Sequence, residues 1–136
     1  MIIKDNNLDL HTYLKLRREV GWKRLTDEQA EKAIENSLLT VVVYDNDKPV
    51  GMGRIVGDGA VICYIQDLIV IPKYQGKGVG QMLMQHLIEY IKKIKSPGTE
   101  IMLDLMCAKG RENFYKKYGF VSRPTEKLGP GMILYL

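Results

Sequence analysis

The chain has 136 residues, of which 46% are hydrophobic, and it carries a formal net charge of +4. That length predicts a single domain over residues 1–136 with a substantial core. The basic residues are dispersed and are not interleaved with aromatic ones, which argues against a nucleic-acid partner. No apolar run is long enough to span a membrane and the two cysteines form no CxxC pair. We therefore expect a cytoplasmic protein with reduced thiols and no membrane partner.

The first half of the chain alternates short strands with two helices. Apolar side chains recur at helical spacing from Leu8 to Val20, which predicts a helix. Thr26 and Gln29 have the spacing of a capping box, so a second helix is expected to begin there and to end near Asn36. β-branched runs bounded by turn residues predict four strands. They are Met1 to Lys4, Leu38 to Tyr44, Val50 to Val56 and Ala60 to Ile71.

The second half predicts a long helix from Val79 to about Lys95 and a short one from Gly110 to Tyr118. The predicted strands are Ile101 to Cys107, Phe120-Val121 and Met132 to Leu136. Cys63 and Cys107 both fall in predicted strands, where we expect buried thiols. This order of elements predicts an α/β (α+β) fold with a mixed, twisted sheet of six to seven strands and helices on both faces.

The segment from Ile69 to Gly80 joins an apolar strand to the long helix through three alternating glycines. Glycines allow the backbone to approach a ligand closely, and the unpaired amides at a helix N-terminus attract an anion. Neither the Rossmann spacing Gly-x-Gly-x-x-Gly nor the P-loop ending Gly-Lys-Ser/Thr fits this segment. The remaining template is Gln/Arg-x-x-Gly-x-Gly after a strand that ends in Val-x-Pro, and Gln75 to Gly80 after Val70 and Pro72 satisfies it.

This loop resembles the acyl-CoA pyrophosphate loop of the GNAT N-acetyltransferase superfamily. A second signature, Tyr115 followed by Gly119-Phe120, is similar to the Tyr-x-x-x-Gly-Phe motif that ends the last helix in that family. The predicted order of elements also matches, so the resemblance spans nearly the whole chain.

The resemblance implies acetyl-CoA as the co-substrate. No cluster of His, Cys, Asp or Glu has the spacing of metal ligands, so no metal ion is expected. The pantetheine arm of acetyl-CoA would bond to backbone groups of the strand segment Leu68, Ile69 and Val70, as an added strand would. Its pyrophosphate would rest on the loop residues Gln75, Gly76, Lys77, Gly78, Val79 and Gly80. The implied reaction is transfer of an acetyl group to a primary amine of a small molecule by direct attack within a ternary complex.

The same resemblance assigns candidate roles in acyl transfer. Tyr115 would protonate the departing thiolate, since a phenol with a pKa near 10 holds its proton at pH 7. Asp67 is the first candidate for the base or for binding the amine, and Asp104 is a weaker candidate. Each carboxylate could instead cap a backbone group or join an ion pair, and a water chain could replace either as the base. His86, on the apolar stripe of the long helix, is expected to be a core or boundary residue.

The acceptor is the least determined part of the prediction. In the family, the loop between the first two helices covers the acceptor site, and here that loop contains Trp22, the single tryptophan. Trp22 could stack on an aromatic or cationic acceptor, or it could fill the core between two helices. Short segments are similar to plant-type and bacterial serotonin or arylalkylamine acetyltransferases. Polyamines, amino sugars, aminoglycosides and protein N-termini stay open.

Other classes of function compete with the enzyme. A non-catalytic acyl-CoA-binding or regulatory module would keep the glycine loop and lose the acid. A protein N-terminal or lysine acetyltransferase would keep the chemistry and change the acceptor. A homodimer is also left open.

Overall fold

The computed structural model describes all residues from Met1 to Leu136. The chain divides into two compact units, Met1–Leu105 and Met106–Leu136. The first unit contains the whole sheet and the three longer helices, and the second contains one short helix. The organisation of residues 1–136 as a single domain stays a prediction. No helix combines the length and the apolar character that crossing a membrane requires.

Five strands and four helices are present, in the predicted order up to the last helix. The strands are β1 (Ile2–Asp5), β2 (Leu39–Asp45), β3 (Lys48–Gly57), β4 (Ile62–Val70) and β5 (Met102–Leu105). The helices are α1 (Leu10–Glu19), α2 (Asp27–Glu35), α3 (Val79–Ile94) and α4 (Glu112–Lys116). A single 3-10 turn over Pro72–Tyr74, which the sequence did not predict, follows β4.

The sheet is mixed, as predicted, with the spatial order β1-β2-β3-β4-β5. The first four strands are antiparallel neighbours, whereas β4 and β5 run parallel. β2 lies inside the sheet and is buried on both faces, because Val41, Val42 and Val43 all have no exposed surface. The fold class is therefore the predicted one.

Helices cover both faces of this sheet. A β-carbon at Gly53 on β3 would point toward Leu87 of α3. The next residue, Arg54, directs its side chain the other way, where it bonds to Asp67 and to the carbonyl oxygen of Ala33 at the end of α2. Successive strand residues point to opposite faces, so α1 and α2 cover one face and α3 covers the other.

The helix starts follow from local chemistry. Asp9 caps α1 by accepting a hydrogen bond of 2.7 Å from the backbone N–H of Thr12. Thr26 caps α2 in the same way, with a bond of 3.1 Å from the N–H of Gln29, as the capping spacing predicted. Both caps satisfy an amide that the helix itself leaves unpaired.

The prediction of six to seven strands was wrong, because neither Phe120-Val121 nor Met132 to Leu136 forms a strand. Both stretches have the apolar composition of strands, yet neither pairs with a neighbouring strand. The last five residues are at least 64% exposed. β-propensity reports how a side chain fits a pleated, half-buried surface and does not supply a partner strand.

The prediction for the cysteines holds for one of the two. Cys63 lies in β4 and is buried, whereas Cys107 lies beyond the end of β5 and is exposed. The strand that was expected to reach Cys107 ends at Leu105, so this thiol lies in a loop.

Candidate active site

The glycine loop, residues 75–80, turns the chain from β4 into α3. Gly76 has a φ of +75° and Gly78 a φ of +86°. Side chains with a β-carbon rarely adopt these left-handed angles, so the turn depends on glycine at both positions. Gly78 is the N-cap of α3, and the helix begins at Val79. The predicted junction of strand, glycine loop and helix is therefore present.

No side chain satisfies the free amides or balances the dipole at the N-terminus of α3. No side chain caps it, and its first turn contains no acidic residue. The amides of the first turn therefore point outward as donors, at the end of the helix where its dipole places partial positive charge. The Nζ atom of Lys77 lies 5.3 Å from the centre of the Tyr74 ring beside the loop and adds a full positive charge. This combination is suited to binding an anion.

β4 carries a bulge where it approaches this loop. The pairing with β3 shifts between Met52, which faces Ile69, and Arg54, which faces Gln66. Asp67 lies at the bulge with a φ of +57°, an angle that residues other than glycine seldom adopt. On the opposite edge, the ladder with β5 ends at Ile65.

Beyond Ile65, the segment Leu68 to Val70 has no strand partner on its β5 side. One backbone group of this segment is already bonded, because Gln75 Nε2 donates a hydrogen bond of 2.9 Å to the Val70 carbonyl oxygen. The remaining groups resemble the edge to which an extended molecule adds as a further strand.

Asp67 is the centre of a buried cluster of charges. Its Oδ1 accepts a hydrogen bond of 2.6 Å from Arg17 Nη1, and its Oδ2 accepts one of 2.9 Å from Arg54 Nε. Oδ2 also accepts a bond of 2.5 Å from the Tyr13 hydroxyl. We call Tyr13, Arg17, Arg54 and Asp67 the arginine cluster. Two cations thus face one carboxylate, whose side chain has no exposed surface.

Tyr13 holds the cluster together as a neutral donor. Burial, and after it the hydrogen bond to Asp67, raise the pKa of Tyr13 to about 12. The hydroxyl therefore keeps its proton at neutral pH. The guanidinium groups of Arg17 and Arg54 lie 5.8 and 5.5 Å from the centre of its ring. These distances are typical of cation–π contacts.

Of the roles considered for Asp67, these contacts match that of a partner in an ion pair. Gln66 adds a fourth donor, 3.4 Å from Oδ1, so both carboxylate oxygens are fully engaged. An amine would have to displace one of these donors to reach Asp67. Arg17 and Arg54 were not predicted as partners of Asp67. Their positions, in an apolar helix stripe and an apolar strand, are nevertheless a signal, because charged residues are rarely buried unpaired.

Asp104 presents the opposite situation. It lies in β5, in register with Tyr64 of β4. One of its carboxylate oxygens is buried and has no hydrogen-bond partner. Burial raises the pKa of Asp104 above its ordinary value. A carboxyl with a raised pKa and a free lone pair has the properties of a proton acceptor.

Trp22 is placed by the turn that ends α1. Gly21 has a φ of +72°, and the amides of Gly21 and Trp22 donate to the carbonyls of Arg18 and Arg17. This is a Schellman motif, which folds the chain back over the last helical turn. The Trp22 ring consequently lies over Arg17, 5.4 Å from its guanidinium carbon. With 40% of its surface exposed, Trp22 does not fill the core, so that alternative was wrong.

A cavity of about 200 Å³ opens beside this turn. It is lined by Leu14, Arg17 and Arg18 of α1 and by residues 21–25 of the loop that follows. Arg17 donates a hydrogen bond of 2.9 Å to the Lys23 carbonyl oxygen and so fixes the loop against the helix. The cavity lies in the segment where the sequence analysis expected the acceptor.

Tyr115 lies on α4, in the second unit. Its ring makes edge-to-face contacts with Phe114 and Phe120, with centres 5.1 and 6.1 Å apart. Burial raises the pKa of Tyr115, and the nearby Cys107 acts in the same direction. The phenol is therefore protonated at neutral pH, as the proposed acid must be.

The remaining titratable candidates have local roles. His86 Nε2 lies 2.6 Å from Asp5 Oδ1 and is partly exposed, which makes it the expected boundary residue. No group of three or more His, Cys, Asp or Glu side chains is arranged to hold a metal ion.

The fold and these motifs match known acetyltransferases. The family described as "Acetyltransferase (GNAT) domain" matches residues 36–122. A GNAT-family acetyltransferase of solved structure from Streptococcus pneumoniae TIGR4 is 33% identical. The two structures superpose with a TM-score of 0.83, over 99% of this chain and 97% of that one.

The curated relatives are longer than this chain, which spans about two thirds of their length or less. An "uncharacterized N-acetyltransferase ycf52-like" of Prochlorococcus marinus is 33% identical over 121 residues, which are 86% of this chain and 65% of that protein. Serotonin N-acetyltransferase 2, chloroplastic, of Oryza sativa subsp. japonica is 28% identical over 125 residues, which are 86% of this chain and 58% of that protein. The narrower likeness to serotonin acetyltransferases is thus the weaker of the two. On the family match and the likeness to the streptococcal protein, the chain belongs to the GNAT acetyltransferase family.

Proposed function

We propose that this protein transfers an acetyl group from acetyl-CoA to a primary amine of a small molecule. The observation that carries the proposal is the uncapped N-terminus of α3 behind two glycines with left-handed angles. Membership of the GNAT family supports acetyl-CoA as the donor. No metal ion takes part in the proposed reaction.

The donor would bind mainly through the backbone. The pyrophosphate would accept hydrogen bonds from amides of Gln75, Gly76, Lys77, Gly78, Val79 and Gly80, with the Lys77 ammonium close by. The pantetheine arm would lie along the edge of Leu68, Ile69 and Val70 that β5 leaves unpaired. The acyl group would then come next to the bulge at Asp67.

The reaction is direct attack in a ternary complex. The neutral amine nitrogen bonds to the acetyl carbonyl carbon, and the carbonyl oxygen takes up negative charge, which a backbone N–H would stabilise. The carbon–sulfur bond then breaks, and the thiolate of CoA takes the proton of Tyr115. Because burial raises the pKa of Tyr115, the phenol holds that proton until the thiolate forms.

The base that removes the amine proton is Asp104 in this proposal, either directly or through water. Asp104 has an unpaired carboxylate oxygen, whereas both oxygens of Asp67 accept hydrogen bonds. Asp67 would instead position the two arginines. Asp104→Asn should then lower turnover and remove the fall in rate at acidic pH. A pH–rate profile unchanged in shape and height would exclude Asp104 as the base.

Release of free thiol from acetyl-CoA, measured with a panel of amines, tests the activity itself. Tyr115→Phe should lower kcat about a hundredfold, the low end of general acid catalysis, with little change in the KM for acetyl-CoA. Tyr118→Phe is the matched control, since Tyr118 also packs on Phe114 and lacks the motif spacing. Equal turnover of the two variants would refute the acid role of Tyr115.

Two alternatives are separated by the same assay. A non-catalytic acyl-CoA-binding or regulatory module would bind acetyl-CoA and release no thiol with any amine. A protein N-terminal or lysine acetyltransferase would release thiol with peptides and not with small amines. The rice relative and the exposed Trp22 support an acceptor amine with an aromatic group. A cytoplasmic location and a homodimer stay predictions from the sequence.

A further inference from the structure

The cavity beside α1 is lined by cationic side chains and by no acidic one. Its charged lining residues are Arg17, Arg18, Lys23 and Arg24. Like charges that line one cavity repel each other unless a counter-charge is present. The composition of the cavity therefore indicates that negative charge comes from outside the chain.

The chain itself supplies very little of that charge. Arg18, Lys23 and Arg24 are exposed and form none of the five ion pairs of the structure. Asp67 is the one carboxylate bound to Arg17, and it is shared with Arg54. The buried part of the site thus retains an excess of one positive charge, before the three exposed cations are added.

One donor of Arg17, its Nε–H, also lacks a hydrogen-bond acceptor. Arg17 is 91% buried, and its Nε–H is buried and bonds to nothing. Buried donors are nearly always satisfied, so an unpaired N–H on a side chain that lines this cavity is a second sign that an acceptor is absent. This observation is independent of the count of charges, and it points to the same kind of ligand.

The position of the cavity connects it with the acceptor. Arg17 bonds to Asp67 at the bulge of β4, one residue before Leu68, where the proposed pantetheine segment begins. α1 covers the sheet face opposite α3, so this site is separate from the helix whose N-terminus would bind the pyrophosphate. An acceptor bound here would approach the acyl group from the other face of the sheet.

From these observations we infer that the acceptor is a small amine that also carries a carboxylate or a phosphate, and that Arg18, Lys23 and Arg24 bind this anionic group. The inference rests on the proposed acetyl transfer. It disfavours polyamines, because a second ammonium group would meet the four cations of the cavity. Trp22, with Arg17 over its ring, would form one wall of the site.

Calorimetric titration of the CoA-saturated protein with matched pairs of amines tests the inference. The pairs are L-lysine and cadaverine, phosphoethanolamine and ethanolamine, and L-tryptophan and tryptamine. The member with the anionic group should bind at least about tenfold more tightly in one or more pairs, since two or three cations near one anion provide that much. The lysine and phosphoethanolamine arms separate a carboxylate ligand from a phosphate ligand.

The variant Arg18→Gln/Arg24→Gln should remove this preference, while the affinity for CoA stays within about twofold. The control Lys32→Gln/Lys93→Gln deletes two exposed cations outside the cavity and should keep the preference. Equal binding within every pair, binding of neither member, or a preference that survives in Arg18→Gln/Arg24→Gln overturns the inference. Binding without thiol release would instead count against the proposed transferase activity alone.

Discussion

Two regions of this chain are suited to negative charge, and they use different atoms. The glycine loop and the start of α3 offer backbone amides, and the side chains there contribute one nearby lysine. The arginine cluster and the cavity beside it offer guanidinium and ammonium groups from α1, β3 and the loop after α1. The first region needs a particular backbone path, and the second needs particular side chains brought together from distant parts of the sequence.

The difference has a consequence for stability. Residues 75–78 of the glycine loop are exposed, so their amides can bond to water and cost little when no ligand is bound. The buried arginines need their counter-charge at all times, because a buried ion without a partner is expensive. Asp67 should therefore matter for folding, whereas the glycine loop should matter mainly for binding.

The largest expected effect is the loss of stability in Asp67→Asn. Asparagine is almost the same size and tolerates the left-handed angle of this position, so the substitution removes charge with little strain. It would leave Arg17 and Arg54 buried without a carboxylate, at a cost of about 3–5 kcal/mol in the free energy of unfolding. Urea denaturation followed by circular dichroism measures this loss.

The control for that experiment is Asp47→Asn, in the exposed turn between β2 and β3. Its free energy of unfolding should stay within about 0.5 kcal/mol of the wild-type value. If Asp67→Asn is as stable as Asp47→Asn, the arginine cluster does not depend on its carboxylate and the contrast between the regions fails.

The next effect is on affinity and belongs to the glycine loop. Gln81→Glu places a carboxylate in the first turn of α3, where it should repel a pyrophosphate and lower the affinity for CoA about tenfold. The same charge interacts favourably with the helix dipole, so stability should be kept or slightly raised. Calorimetry and thermal unfolding report the two quantities separately.

Gln85→Glu adds the same charge one turn later, on an equally exposed position of α3. It should change CoA affinity much less, because the effect of a helix terminus fades within a turn. Equal losses of affinity in the two variants would mean that the pyrophosphate does not rest on this helix end.

The smallest effect concerns Asp104, a carboxylate without the cations that Asp67 has. Burial raises its pKa in the folded protein, so folding favours the protonated form. The stabilisation from this group is present below its unfolded-state pKa of about 3.9 and is lost as pH rises through its higher folded-state pKa. Asp104→Asn should therefore be slightly more stable than wild type at pH 7 and lose less stability between pH 4 and pH 7. A variant that is less stable at pH 7 would show that the ionised carboxylate has a favourable partner.

The contrast between the regions also decides what could be predicted from sequence. The glycine loop is continuous in the chain, so its spacing, the preceding strand and the following helix were all predictable, and the structure confirms that junction. In the arginine cluster, Asp67 bonds to partners that lie 13 to 54 positions away in the chain. Single residues such as Arg54 in an apolar strand indicate a buried charge, but the partner depends on tertiary packing.

The missed strands and the bulge follow the same physical rule. Apolar stretches near the C-terminus have strand propensity, and whether they pair depends on a partner that the pattern does not identify. The bulge at Asp67 was equally unpredictable from the sequence, because one extra residue in a ladder leaves the composition of a strand unchanged. The order of the elements was predictable up to α4, since it depends on local periodicity and caps.

If backbone amides at the start of α3 bind the pyrophosphate of CoA, amide NMR spectroscopy of the 15N-labelled protein observes those groups themselves. When CoA is added, the largest changes in amide chemical shift should fall within residues 75–81. Binding of CoA with these amides unchanged, and with the large changes elsewhere, would rule out this mode of binding.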